Sequence, residues 1–249
     1  MGRSNKENKF IMSNIFKSEN IEIDFENFKQ EIFNTNVFIA TDETVKHHSF
    51  KKFHKLLYGF ALIQFKASLN HKDLICKFVF LKEIQSDFLM FTTLVFQGFY
   101  NSSMIQYRRI IENFYNHIYY FNHKVEFIKL NNGKNDYTPL IELKDYLNSY
   151  PNIKGQKNIS DFNNYIFSEY VELNRIVHTK GIEFMSLSKN LEDIKNEIDF
   201  DNIFSKTNEV LFRIIYILYK FHNDLEFTNV EKRIISDCIP KGYKINLND

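Results

Sequence analysis

Two stretches of the sequence carry residue types that do chemistry at spacings that let them act together. In NSSMIQYRRIIENFYNHIYYFNH, residues 101–123, Arg108 and Arg109 precede Glu112 by four and three positions. Those are the separations at which side chains meet on one helix. In DFNNYIFSEYVELNRIVHTKG, residues 161–181, Asn174 and His178 stand four apart, with Arg175 beside them. Arginine brings a fixed positive charge and a fork of donors. Histidine, with an ordinary pKa of about 6.5, exchanges a proton near neutral pH. Together these groups suit charge stabilisation and acid–base work. A plainer reading of each is open as well. An Arg–Glu pair at this spacing on a helix surface contributes about 0.3–0.5 kcal/mol. A charged histidine near a helix C-terminus is stabilised by the macrodipole and can act as a cap.

Both stretches have the periodicity of amphipathic helices. At about 100° per residue, Tyr107, Ile110, Ile111, Phe114, Ile118 and Phe121 share one face of the first. Arg108, Glu112, Tyr115 and Tyr119 share another, so the pair is either a surface salt bridge or a partly buried pair lined by tyrosines and facing a cleft. Asn101 and Ser102 are of the N-cap type. The second stretch opens near Ser160 or Asp161 and buries Tyr165, Ile166, Tyr170, Leu173, Ile176 and Val177, with Gly181 as the expected C-cap.

The elements that must hold these two follow the same pattern. A short helix is expected over 25–33, and the alternating IEID before it could be a short strand instead. A long one starts at Thr41 or Asp42 and keeps Val45, Phe50, Phe53, Leu57, Phe60 and Ala61 in period. The next, over 73–100, is apolar on nearly every side and is expected to be the most buried. The brief NSS turn then makes the 101–123 helix antiparallel to it, unless the two run on as one kinked rod. Residues 124–160 hold most of the mid-chain Gly and Pro and read as an insertion, a lid or a long loop, with a short helix over 140–150. A short acidic helix over 190–198, a long helix over 201–221 and one short helix after Phe227 complete the chain. The expected fold is an all-α antiparallel helical bundle with long helices and a mid-chain loop insertion. It divides as 1–40 (tail and short helix), 41–227 (bundle) and 228–249 (C-terminal tail).

Composition agrees and removes several functions. Only 7 Gly and 3 Pro occur in 249 residues, against 27 Phe and 14 Tyr, which argues for long helices over a turn-rich β fold. A net charge of +1 gives no global pull toward nucleic acid or membrane. Cys76 and Cys238 are single residues without a C-x-x-C partner, so neither a disulfide framework nor a cysteine zinc site is expected. The polar start MGRSNKENKF is unlike a signal peptide, no run reaches the roughly 18 apolar residues of a membrane helix, and a cytoplasmic location is the expectation. Phosphate-loop, dinucleotide, zinc-protease and nucleophile-elbow motifs do not occur. One basic stripe stands out: His47, His48, Lys51, Lys52, His54 and Lys55, with no acid between 44 and 72. It is a solvated face or a rail for a phosphate backbone. Its histidines lack the i,i+4 spacing of metal ligands. His117, His123 and His222 show no partner pattern and read as structural or exposed. Tyr115, Tyr119 and Tyr120 read as packing.

R-R-I-I-E-N-F in one helix and N-R-I-V-H-T near the end of a later one resemble the HEPN superfamily, over roughly residues 41–221. The resemblance implies an all-α bundle and, in many members, a metal-independent endoribonuclease of toxin–antitoxin, abortive-infection or CRISPR systems. It implies His178 as general acid/base, with Arg108, Arg109 or Arg175 giving charge to the phosphate. Glu112 would orient an arginine and Asn174 would complete the set. Lys51, Lys52, Lys55 and Lys180 would hold RNA. It further implies a homodimer with a composite cleft, an antitoxin or defence-system protein as partner, no metal and no cofactor. The sequence departs from the family in one respect. Only Ile176 and Val177 separate Arg175 from His178, closer than the usual spacing, so the working arginine is expected on the neighbouring helix. That departure keeps open a catalytically silent bundle that binds a protein or a nucleotide, and a structural subunit of a larger assembly.

Overall fold

The computed structural model describes residues 20–34, 47–71, 74–133, 138–178 and 199–243. Among them every regular element is a helix, as the scarcity of Gly and Pro requires. α1 is Ile21–Asn34, α2 His48–Asn70, α3 Val79–Phe96, α4 Tyr100–Tyr120, α5 Lys124–Asn131, α6 Leu140–Ser149, α7 Lys157–Val177, α8 Phe200–Phe221 and α9 Asn229–Asp237. The expected caps Thr41 and Asp42, the acidic helix over 190–198, Gly181 and Lys180 lie outside the described residues.

α3 and α4 form the expected antiparallel hairpin, seen in the pairs Phe91–Tyr107 and Phe80–Tyr120. Its hinge is Gly98, at φ 83, a left-handed value that only glycine adopts without strain. The helix after it starts at Tyr100 with Phe99 as N-cap and no side-chain cap. Asn101 and Ser102 therefore sit inside the first turn and do not cap it.

α2 and α8 run parallel, joined by Asn208 Nδ2 to the Ser49 carbonyl and by Phe53 against Phe204 at 4.9 Å. α7 lies antiparallel to both α4 and α8, with Tyr115 bonded to Asn163 and Phe162 packed on Phe212 and Tyr216. A phenylalanine cluster from three helices (Phe50 and Phe53 of α2, Phe91 and Phe96 of α3, Phe204 of α8) fills the centre. α2 and α8 are buried nearly all round, while α3 leaves Met90 half exposed. The most buried position thus belongs to α2 and α8 and not to the more uniformly apolar 73–100 segment.

Three further differences bear on the site. The 124–160 insertion is part of the core: α6 buries Leu140, Leu143 and Leu147, and Tyr150 packs on Phe221 at 4.6 Å. The flanking segments also reach the core, α1 through Phe25 and Phe28, and the C-terminal region through Ile235, Cys238 and Ile239. His54 faces inward, buried with Nε2 3.1 Å from Asp24 of α1, so it leaves the basic stripe. No helix among the described residues is long and apolar enough to cross a membrane.

Candidate functional site

α4 and α7 are held antiparallel by a buried polar clasp. Tyr115 Oη donates to Asn163 Oδ1 at 2.7 Å, and Asn163 Nδ2 donates to the Lys144 carbonyl and to Asn148 Oδ1 of α6. Two turns from this clasp, the alignment brings Arg108 of α4 to the C-terminal end of α7. Glu112 Oε1 accepts from Arg108 Nε at 2.9 Å and from Nη2 at 2.8 Å. That leaves Nη1, which lies 3.2 Å from Nε2 of His178. A guanidinium only donates, so His178 Nε2 is the acceptor and the ring carries its proton on Nδ1. The Tyr170 ring lies beneath the guanidinium at 5.7 Å.

The pair is neither on the open surface nor in the core: the Arg108 and Glu112 side chains are 22% and 25% exposed, and His178 is exposed. Of the two readings open in the sequence, the structure bears out partial burial of the pair, but the ring beside it is Tyr170 and not Tyr115 or Tyr119. His178 follows the last residue of α7 as its C-cap, its N–H bonded to the Asn174 carbonyl. Asn174 sits one turn earlier, and its Oδ1 is enclosed without a hydrogen-bond partner.

The other candidates go elsewhere. Arg109 turns to α3, 3.4 Å from Glu83 and 3.3 Å from Asp87. Burial pushes the Asp87 carboxyl up, against the pull of Arg109 and of the Asn113 amide that donates to it at 2.8 Å. Arg175 pairs in the open with Glu172 on its own helix. Lys51 pairs with Glu22 of α1 at 2.7 Å, Lys52 approaches Glu209 of α8 at 3.6 Å and Lys55 approaches Asp237 of α9 at 3.7 Å. The stripe has no acids of its own in sequence, but three other helices supply them.

Two groups escaped the sequence reading. Tyr170 stands eight residues before His178 and Asn174 four, and this i, i+4, i+8 spacing was the signal. Glu169 faces α8, where burial pushes its carboxyl up while Lys206 and Arg213 draw it down. Nothing in the local sequence marks that seam. Of the two roles open to them in the sequence, structural or exposed, His117 and His222 take the structural one, with a partnership that no sequence pattern showed. Their Nε2 atoms meet at 2.8 Å between α4 and the end of α8, and both rings are fully enclosed. Burial pushes both down, His117 to about 3, so both are neutral.

Comparison with family models, curated proteins and solved structures finds no match to the chain, so its own geometry is what bears on function.

Proposed function

We propose that the chain is a HEPN-like, metal-independent endoribonuclease of a microbial antiviral-defence or toxin–antitoxin system, acting in the cytoplasm. The observation that supports this reading most is the 3.2 Å approach of Arg108 to His178 across two helices. It supplies the arginine that the short Arg175–His178 spacing withholds. In the proposed reaction the ribose 2′-oxygen bonds to phosphorus as the bond to the 5′-oxygen breaks. A base takes the 2′ proton, and an acid returns one to the leaving oxygen. With Nε2 bare, His178 is in the form that accepts a proton. A phosphate arriving at Arg108 would draw Nη1 away and free that nitrogen. Arg108 would then stabilise the charge that builds on the phosphorane oxygens, held in place by Glu112. Asn174, one turn away, would complete the set, its enclosed Oδ1 turning out to accept from a ribose hydroxyl only as substrate binds. A homodimer would set two such histidines, one as base and one as acid, in one cleft. An antitoxin or defence-system partner would hold it inactive.

The second reading, a silent bundle that binds a protein partner or nucleotide, is favoured by the carboxylates set against Lys51, Lys52 and Lys55, which leave little free charge for an RNA rail. Bacteria expressing the chain, beside His178→Ala, separate the two when total RNA is run on a gel. Growth arrest with RNA cleavage, both lost in the variant, is the expected result. Intact RNA and normal growth from the parent, alone or after phage infection, would turn the assignment to the binding module.

A further inference from the structure

The ends of α2 and α8 come together at a second polar cluster, remote from Arg108 and His178 and independent of the function proposed above. His71 caps α2, His222 caps α8, and Asp224 lies two residues beyond. His71 Nε2 is 3.1 Å from Asp224 Oδ2, and His222 Nδ1 is 4.0 Å from Asp224 Oδ1. One ligand atom from each residue lies within 4.8 Å of the other two. His222 is fully buried, yet its Nδ1 has no hydrogen-bond partner, while His71 Nε2 has the Asp224 carboxylate beside it. An enclosed nitrogen left as His222 Nδ1 is left is uncommon and calls for a cause.

We propose that His71, His222 and Asp224 form a binding site for a single divalent transition-metal ion of the zinc class. Two imidazoles and a carboxylate select Zn²⁺ and its late first-row neighbours over Mg²⁺ and Ca²⁺. Ligands around tetrahedral zinc stand about 3.4 Å apart, given metal–ligand bonds of about 2.0–2.1 Å. The His71–Asp224 edge, at 3.1 Å, is close to that length. The His222–Asp224 edge closes by rotation of Asp224, the one exposed member, at 44%, and the edge between the two imidazoles, no longer than 4.8 Å, needs a shift of the His71 ring. His117 completes the arrangement from behind. Ligating histidines donate their other ring N–H to a fixed acceptor, and His222 Nε2 has His117 Nε2 at 2.8 Å. With the proton there, His222 Nδ1 presents a lone pair to the site. A cleft of about 480 Å³ lies beside His222, lined also by Asn223, Leu225 and Glu226, and Asp224, 44% exposed, is the side from which an ion and a water as fourth ligand would enter. Lys77 is the nearby opposing charge. Its ammonium lies over the Phe121 ring at 4.3 Å, and the Asp224 carboxylate offsets it. The ion would tie the loop after α2 to the end of α8, two segments that only the fold brings together.

The full-length protein, treated with chelator and dialysed, is titrated with Zn²⁺ by calorimetry and with Co²⁺ by visible absorption. One ion per chain is expected, with affinity lowered at least tenfold by Asp224→Asn and by His71→Gln and with the cobalt bands lost in both. Asp224 is exposed, so its variant should keep the parent's helical circular dichroism. His117→Leu should weaken binding about 10–100-fold with the three ligands intact. His117→Gln, whose amide oxygen can still accept from His222, should recover part of that loss. No saturable binding at micromolar zinc, or binding unchanged in both ligand variants because it resides at other histidines, overturns the proposal.

Discussion

Arg108 and Arg109 carry the same group one residue apart, about 100° around α4. That rotation sends one to His178 on α7 and the other to Asp87 on α3. If the proposed site is catalytic, Arg108→Ala should lower RNA cleavage about 10²–10³-fold, the usual loss for one stabilising donor. Arg109→Ala should leave cleavage within a few-fold. Single-turnover assays on a defined RNA would read both, and equal losses would mean that Arg109 also reaches the substrate. Arg109→Ala should act on stability instead. A carboxyl raised in the fold contributes stability that is fully present below its unfolded value of about 3.9 and is lost as pH rises through the folded value. Asp87 is such a group, and Arg109 opposes the shift. Removing the guanidinium should therefore leave the variant nearly as stable as the parent at about pH 4. It should be weaker by about 1–2 kcal/mol at pH 7, a figure discounted because Arg109 is half exposed. Asp87→Asn in the same chain should remove most of that difference in urea unfolding.

Between elements, α2 passes close to the end of α9 at Gly59. A Cβ on Gly59 would meet Cys238 Sγ at 2.5 Å. An interior helical glycine ordinarily gives up about 1 kcal/mol relative to alanine, so Gly59→Ala would stabilise an isolated α2. Here the thiol must shift, and overpacking should outweigh the gain, with a net loss of about 1–3 kcal/mol. Cys238→Ala in the Gly59→Ala background should restore most of it, a coupling that a double-mutant cycle in urea would measure. The same enclosure pushes the Cys238 thiol up to about 12. It should be inert to a disulfide reagent at pH 8 in the native protein and titrate only on unfolding.

For the molecule as a whole, the arrangement of charge matters more than its sum. The net charge is +1, and the lysines of the basic stripe face carboxylates from α1, α8 and α9. RNA binding should therefore show a shallow salt dependence, with a slope of log K on log salt of about −1 to −2, near one phosphate contact per free cation. A slope of −4 or steeper in filter binding would mean that those pairs open on RNA and that the stripe is a rail after all. Helical periodicity, scarce Gly and Pro and abundant Phe were enough to determine an all-α bundle, the α3–α4 hairpin and part of the inward faces of α4 and α7: Tyr115, His117 and Phe162 also turn inward, while Phe121, Tyr165, Ile176 and Val177 are only partly buried. These are local properties, repeated every turn along the chain. Caps, ion pairs and partners between helices are not local. Whether Arg108 or Arg109 meets His178 depends on the rotation of α4 against α7. Three remote carboxylates quiet the stripe, and His71, His117, His222 and Asp224 come from helix ends far apart in sequence. Only packing settles such contacts, because helices of the same pattern can be docked in many orders and rotations, each bringing different side chains together.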